Sequence, residues 1–254
     1  MLSSNWFVST KTVENPCLRL FCFPYAGGNA STFLSWSNMI PANVELIAIQ
    51  PPGRAGRLFE PAFSSMEGLV SSLVDEIKEY LDVPYMMFGH SLGSRVALEV
   101  AHQIKAKGFN QPSHFFASGS RSPNLPVSDI PLSKLGDEEL IGKLKEMKDE
   151  PDPLLENKEL MALFLPTLRA DLAIADTYSA GADVQLHCEL SVLNGQLDTA
   201  IQEIDIEGWR DFFSGSMDAK RFSGGHLFVD NACDELFGYI NSVIQTTLDS
   251  PYVK

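Results

Sequence analysis

The residues Gly89-His90-Ser91-Leu92-Gly93 join two segments of contrasting hydrophobic pattern. The run before them, 85–88, is short and apolar, as in a buried strand, and the apolar residues after them recur with helical spacing. A chain that passes from strand to helix over so few residues turns sharply, and glycine is needed where a side chain would clash. We therefore expect the Ser91 hydroxyl to stand clear of a sheet at a helix N-terminus, whose partial positive charge favours developing negative charge.

A serine between two glycines at such a junction is the nucleophile elbow of α/β-hydrolases, and the alternative is a glycine-rich turn with an incidental serine. Strand-like and helix-like runs alternate along the chain, which predicts an α/β fold: a mostly parallel central sheet flanked by helices. The expected strands are 18–23, 44–49, 85–88, 114–117, 189–193 and 217–222, and the expected helices are 66–81, 91–107 and 232–248.

Residues 122–183 interrupt this alternation. They contain three early prolines, an amphipathic helical pattern at 137–148, a proline-rich break, and two further helical patterns on either side of Pro166. A crossover between strands rarely needs about 60 residues. We interpret 122–183 as a helical lid over the carboxyl ends of the strands, where open α/β sheets bind ligands; ordinary crossover helices are the alternative. Residues 1–254 are otherwise expected to form a single α/β-hydrolase domain.

The chain is acidic, with a formal net charge of −14 over 254 residues. Such a surface repels phosphate groups, so we expect neither nucleic acid nor an anionic membrane as a partner. No apolar run is long enough to span a bilayer, and residues 1–16 lack the apolar core of a signal peptide. The cysteines fit neither a zinc site nor a disulfide framework, so we expect a cytoplasmic protein with the reduced thiols Cys17, Cys22, Cys188 and Cys233. The sequence contains no dimerisation signature, so we expect a monomer.

An activated serine needs a base, and the base needs a carboxylate that orients it. In α/β-hydrolases the three follow the order serine, acid, histidine. His226 lies in a Gly-Gly-His turn just after the expected strand 217–222, which favours it as the base over a satisfied core histidine. The remaining histidines fall inside the elbow, within a helix or at strand starts: His90, His102, His114 and His187.

Asp198 is the candidate acid, because it follows strand 189–193 and emerges at the same edge of the sheet as Ser91. Asp129 competes with it, since in some α/β-hydrolases the acid follows the preceding strand. Asp205 is a second competitor, but it lies among other acidic residues and is expected to be exposed.

An oxyanion hole needs two backbone N–H groups aimed at the tetrahedral oxygen. Leu92, directly after the serine, is expected to supply one. The loop after the first strand, Phe23-Pro24-Tyr25-Ala26-Gly27-Gly28, is expected to supply the other, from Ala26 or else from Tyr25. The alternative is that this loop binds a phosphate group, but the loop lacks the lysine of a P-loop and the glycine spacing of a dinucleotide-binding motif.

Four motifs stand in order along the chain: Phe-Pro-Tyr-Ala-Gly-Gly at 23–28, Pro-Gly-Arg at 52–54, the elbow at 89–93, and Gly-Gly-His at 224–226. Together they resemble the type II (external, editing) thioesterases of non-ribosomal peptide and polyketide synthase systems. The resemblance runs from about residue 19 to 244, with Asp198 at the acid position of that family. The elbow alone matches any esterase, and the first two motifs are the more specific ones.

This resemblance implies that acyl groups are removed from the phosphopantetheine thiol of an acyl or peptidyl carrier protein, through an acyl-serine intermediate, without a metal or cofactor. Four alternatives remain open. These alternatives are a medium-chain fatty-acyl thioesterase, a general carboxylesterase, an acyltransferase or cyclase, and a non-catalytic module that binds carrier proteins.

Tyr25, Gly27 and Arg54 are expected to contact substrate, and the apolar lid residues Met161, Phe164 and Leu168 to shape an acyl pocket or simply a core. Carrier proteins are usually acidic, so a basic patch would assist their encounter with an acidic enzyme. Arg54 and Arg57 are the candidates for that patch. The lysines of the lid are better explained as a solvated helix face of mixed charge: Lys134, Lys143, Lys145 and Lys148.

Overall fold

The computed structural model describes residues 4–125, 131–148, 152–231 and 234–250. Within these residues one sheet contains seven strands: β1 (Phe7–Val8), β2 (Leu18–Phe23), β3 (Val44–Ile49), β4 (Tyr85–His90), β5 (His114–Ser118), β6 (Glu189–Gly195) and β7 (Met217–Phe222). Their spatial order is β1-β3-β2-β4-β5-β6-β7. β1 is antiparallel to β3, and the other neighbours are parallel. The mostly parallel α/β sheet predicted from the sequence is confirmed; β1 was not predicted, because two residues show no period.

The described helices are α1 (Ser31–Leu34), α2 (Met66–Ile77), α3 (Leu92–Ala106), α4 (Asp137–Glu146), α5 (Pro153–Glu156), α6 (Lys158–Thr177), α7 (Glu203–Glu207) and α8 (Asp234–Asp249). The single-turn helices α1, α5 and α7 were missed for the same reason as β1. Two separate helices around Pro166 were expected, and this was wrong, since α6 runs through Pro166. Pro166 is exposed, and burial of the opposite face outweighs the one backbone hydrogen bond that proline removes.

The central strands are buried on both faces. On one face, Phe21 of β2 and Met87 of β4 pack in a cluster with α2 and α3. On the other, Leu20 and Met86 belong to a cluster with Trp36 and α8. Neighbouring residues of one strand thus point into different cores, which is why these strands read as continuous apolar runs.

The carboxyl ends of β2 and β4 define the functional edge of the sheet. From β2 the chain first crosses to β3 on one side, and it later returns to β4 on the other side. Loops that leave a sheet at such a switch point diverge and open a crevice. Helices α4, α5 and α6 share a separate cluster near this edge, against which Ala26 also packs: Leu140, Leu155, Met161, Leu165, Leu168 and Leu172.

Candidate active site

Ser91 occupies a strained turn between β4 and α3. Its backbone has φ 52° and ψ −118°, an unusual conformation for a residue with a side chain. A Cβ at Gly89 would lie 2.4 Å from the backbone of Ser94, and one at Gly93 would lie 2.2 Å from the carbonyl oxygen of Phe23. Both glycines are therefore required by backbone contacts, as the sequence analysis predicted.

The structure brings Ser91, His226 and Asp198 together in one hydrogen-bonded chain. His226 Nε2 lies 3.2 Å from Ser91 Oγ, and His226 Nδ1 lies 2.8 Å from Asp198 Oδ2. The Asp198 side chain is only 1% exposed, and its other oxygen accepts a hydrogen bond from the amide of Ala200 at 2.9 Å. The carboxylate is thus fixed toward Nδ1, which leaves Nε2 as the acceptor that faces the serine hydroxyl.

Asp129 and Asp205 were the two other candidates for the acid. Asp129 lies outside the described residues. Asp205 was expected to be exposed, and this was wrong: it is 3% exposed, pairs with Arg121 Nε at 2.9 Å and caps α7 through the Gln202 amide. The acidic neighbours of Asp205 in the sequence did not reveal its ion pair, because Arg121 lies 84 positions away along the chain.

His90 supports the loop that carries His226. It is fully buried, its Nδ1 lies 2.8 Å from Ser118 Oγ, and its Nε2 lies 2.9 Å from the backbone oxygen of His226. Burial holds the pKa of His90 well below its usual range. A neutral imidazole therefore donates from Nε2 to the carbonyl and accepts at Nδ1 from the serine hydroxyl. The position of His90 inside the elbow excludes it as the base, but the sequence pattern does not predict this contact.

The loop after β2 lies beside Ser91. The amide of Gly27 donates to Asp171 Oδ2 at 2.7 Å, and that of Gly28 donates to the Tyr25 oxygen at 2.9 Å. Among contacts within the described part of the chain, the amides of Ala26 and Leu92 donate no hydrogen bond, and neither does the amide of Tyr25. Within the described residues no backbone or side-chain acceptor therefore occupies the amides of the two predicted donors or of the fallback Tyr25.

A cavity of about 720 Å³ opens at Ser91 and His226, within the size range of small-molecule sites. Tyr25, Gly27 and Arg54 line it, as do many apolar side chains of α4–α6, including Leu140, Leu144, Leu154, Leu160, Leu163, Phe164 and Leu168. For Met161 the sequence left a pocket and a core position open, and it is 2% exposed in the core of these helices. The Tyr25 hydroxyl donates to Asp230 at 2.9 Å, and burial raises the pKa of this phenol.

The expected basic patch at Arg54 and Arg57 is wrong. Arg54 is 6% exposed and forms a buried bidentate pair with Asp171. The side chain of Arg57 is 11% exposed, binds Glu60 and lies 4.4 Å from the ring centroid of Trp6. Lysines of α4 and the residues after it pair with nearby carboxylates, as the mixed-charge interpretation predicts: Lys143 with Glu146, Lys145 with Glu156, and Lys148 with Asp152 and Asp230.

In the described ranges no group of three or more His, Cys, Asp or Glu side chains is arranged to hold a metal ion. None of the helices in those ranges is long and apolar enough to cross a membrane. Cys17, Cys22 and Cys188 are free thiols, and Cys233 lies outside the described residues.

Comparison with known proteins decides the family. The model of the thioesterase domain matches residues 18–244, which is most of the chain. The chain belongs to the thioesterase family. The thioesterase is 30% identical over 245 residues to the gramicidin S biosynthesis protein GrsT of Aneurinibacillus migulanus, covering 96% of each chain. It is also 30% identical over 231 residues to the medium-chain S-acyl fatty acid synthase thioesterase of Rattus norvegicus, covering 88% of this chain and 87% of that one.

Solved structures agree with this assignment. The RedJ thioesterase from the prodiginine biosynthetic pathway of Streptomyces coelicolor superposes with a TM-score of 0.83 at 32% identity, covering 89% of this chain and 85% of that one. The resemblance and the α/β-hydrolase fold predicted from the motifs are confirmed. This thioesterase is a hydrolase that acts on thioester bonds.

Proposed function

We propose that this thioesterase acts as a type II editing enzyme, which hydrolyses aberrant or stalled acyl groups from the phosphopantetheine thiol of an acyl or peptidyl carrier protein. The observation that carries the proposal is the chain Asp198–His226–Ser91 at the head of a largely apolar cavity. The similarity to GrsT, named for gramicidin S biosynthesis, and to the RedJ thioesterase of the prodiginine biosynthetic pathway supports a thioester substrate from a biosynthetic pathway.

In the proposed reaction, Ser91 Oγ attacks the thioester carbonyl while His226 Nε2 takes the hydroxyl proton. The amides of Leu92 and Ala26 bind the oxyanion, and Asp198 holds the imidazole tautomer and stabilises the imidazolium. The C–S bond then breaks, and His226 returns its proton to the departing thiolate. Water attacks the acyl-serine with His226 again as base, which releases the acid and restores Ser91.

Residues 122–183 are proposed to form the lid of this site. The leucines of α4–α6 that line the cavity and the separate apolar cluster that joins these helices support this assignment. A lid excludes water from the acyl-enzyme until the thiol has left. Residues 126–130 and 149–151 of the proposed lid lie outside the described residues.

The carrier protein is proposed to dock on an apolar rim rather than on a basic patch. Leu58, Leu160 and Leu163 line the cavity and are 42%, 47% and 61% exposed, and Phe59, next to Leu58, is 99% exposed. We call these four residues the apolar rim. Three residues of the rim line the cavity that receives the acyl group. A carrier protein whose phosphopantetheine arm enters this cavity is therefore expected to contact the rim. Apolar contact also needs no charge complementarity with an enzyme of net charge −14.

Intact-protein mass spectrometry of an acyl-loaded carrier protein tests the proposal. The wild-type enzyme is expected to convert the acyl carrier to the free phosphopantetheine form with release of the acid, and Ser91→Ala is expected to leave the carrier loaded. An oxygen ester and a free acyl pantetheine serve as parallel substrates. Faster hydrolysis of the oxygen ester would favour a carboxylesterase, a medium-chain preference on a fatty-acyl carrier would favour the fatty-acid-releasing class, and an ester or amide product would favour acyl transfer.

A further inference from the structure

One face of α6 contacts both loops that border the cavity. A Cβ built on Gly27 would lie 2.5 Å from Phe164 Cζ and 3.2 Å from Leu168 Cδ1, so the helix lies directly against the loop after β2. The Thr167 hydroxyl donates to the backbone oxygen of Gly53 at 2.7 Å. Because residues three or four apart share a helix face, one surface of α6 is in contact with both the acyl cavity and the backbone beside Ser91.

Asp171 continues this face by one turn and binds Arg54 with both oxygens. The distances are 2.5 Å from Arg54 Nη1 to Oδ2 and 2.8 Å from Nη2 to Oδ1, with the two side chains 7% and 8% exposed. The same Oδ2 accepts the amide of Gly27 at 2.7 Å, and Arg54 Nη1 donates to the backbone oxygen of Gly28 at 3.1 Å. The two side chains of the ion pair thus bind each other and also bind two backbone groups of the loop, the Gly27 amide and the Gly28 oxygen.

We propose that Arg54 and Asp171 are positioning residues for the oxyanion hole, and that through them α6 couples the acyl cavity to the catalytic backbone. The turn 25–28 is closed by the bond from the Gly28 amide to the Tyr25 oxygen. The ion pair restrains the residues that follow Ala26, so it fixes the direction in which the free amides of this turn point. This inference rests on the proposed role of Ser91 as nucleophile.

The chemistry of the pair favours positioning over simple stabilisation. A buried ion pair contributes little net stability compared with apolar side chains of similar volume, whereas the planar guanidinium fork imposes direction on everything it binds. Phe164 and Leu168 line the cavity and precede Asp171 by seven and three positions on the same helix. An acyl chain that packs on these two side chains therefore contacts the same helix whose Asp171 accepts the hydrogen bond from the Gly27 amide.

The test measures oxyanion-hole function without a thioester substrate. A fluorophosphonate probe phosphonylates an activated serine, and its labelling rate at Ser91 depends on oxyanion donors. A boronic acid with the alkyl chain of the product acid forms a tetrahedral adduct, whereas the alkane of the same chain length has no oxygen and reports only on the cavity. The variants are Asp171→Asn, Arg54→Lys and the double variant Arg54→Met/Asp171→Leu, which removes both charges together and so avoids a buried unpaired ion. Asp137→Asn is the control, because Asp137 pairs with Arg169 on α6 at 2.5 Å.

We expect labelling and boronate affinity to fall about 100-fold in Asp171→Asn and in the double variant, and about tenfold in Arg54→Lys, with affinity for the alkane unchanged. Asp137→Asn is expected to match wild type. Labelling of the folded double variant at the wild-type rate would overturn the inference, as would an equal loss of boronate and alkane affinity, which indicates a damaged cavity. A wild-type enzyme that is not labelled at Ser91 would instead refute the proposed function itself.

Discussion

Replacing Asp198 with asparagine tests the assignment of the acid, for which the sequence offered three candidates. Asparagine has nearly the same shape, and its oxygen keeps the hydrogen bond from the Ala200 amide. Its NH₂ group then faces His226 Nδ1 at the position where Oδ2 lies 2.8 Å away. An amide donor there forces the imidazole into the tautomer with the proton on Nε2, which cannot accept the proton of Ser91.

The size of the effect follows from the loss of the base rather than from packing. Wrong-tautomer variants of a serine–histidine–aspartate triad lose about 10⁴-fold in kcat, which corresponds to about 5.5 kcal/mol of transition-state stabilisation. We expect that loss for Asp198→Asn, with a melting temperature near that of wild type because the buried side chain keeps its volume. The assay is release of free thiol from an acyl pantetheine under steady-state conditions.

Two matched variants make the experiment decisive. Asp129→Asn is expected to retain wild-type kcat, and Asp205→Asn to lower the melting temperature through loss of the Arg121 pair while retaining kcat per folded molecule. A loss of less than tenfold in Asp198→Asn, or a loss of about 10⁴-fold in Asp129→Asn, would refute the assignment of Asp198.

Three further predictions concern specificity, docking and pH. Phe164→Ala enlarges the acyl cavity next to Gly27, and we expect kcat/KM measured over a series of acyl chain lengths to shift toward longer or bulkier chains; an unchanged profile would mean that Phe164 does not limit the cavity. Replacing Phe59 of the apolar rim with serine is expected to raise KM for the acyl carrier about tenfold while KM for free acyl pantetheine stays the same, and equal effects on both would argue against docking there. Burial lowers the pKa of His114 from 6.5 to about 4, so the unfolded chain binds more protons than the folded one between these values, and stability falls as pH decreases through this window. The neutral His114 contributes about 3 kcal/mol to the pH-dependent free energy of unfolding. Chemical denaturation of His114→Phe at several pH values is therefore expected to show a weaker dependence of stability on pH than wild type. An identical dependence would contradict the lowered pKa of His114.

The sequence predicted which three side chains meet at the carboxyl edge of the sheet, because local constraints are strict there. The steric demands at Gly89 and Gly93 are local to the turn around Ser91, so the glycines marked that turn in advance. The order of serine, acid and histidine along the chain left His226 as the one well-placed candidate for the base. In the structure its Nε2 lies 3.2 Å from Ser91 Oγ. The parallel sheet was readable for a similar reason, because burial on both faces leaves continuous apolar runs.

Interactions between residues far apart in sequence were not predictable from these patterns. Arg54 was interpreted as a surface cation, and its partner Asp171 is 117 positions further along the chain. Asp205 was interpreted as solvated for the same reason, since nothing in its neighbourhood indicates the contact with Arg121. In both cases a buried charge is tolerated only because a specific partner neutralises it, and partner identity depends on the tertiary fold.

Rapid-quench mass spectrometry of the enzyme after mixing with an acyl-loaded carrier protein tests directly whether Ser91 forms an acyl-enzyme. Proteolytic mapping locates any covalent adduct along the chain. We expect a transient acyl mass on the peptide that contains Ser91, formed before the free acid is released and absent in Ser91→Ala. Turnover of the carrier without an adduct at Ser91, or with an adduct on another residue, would contradict it.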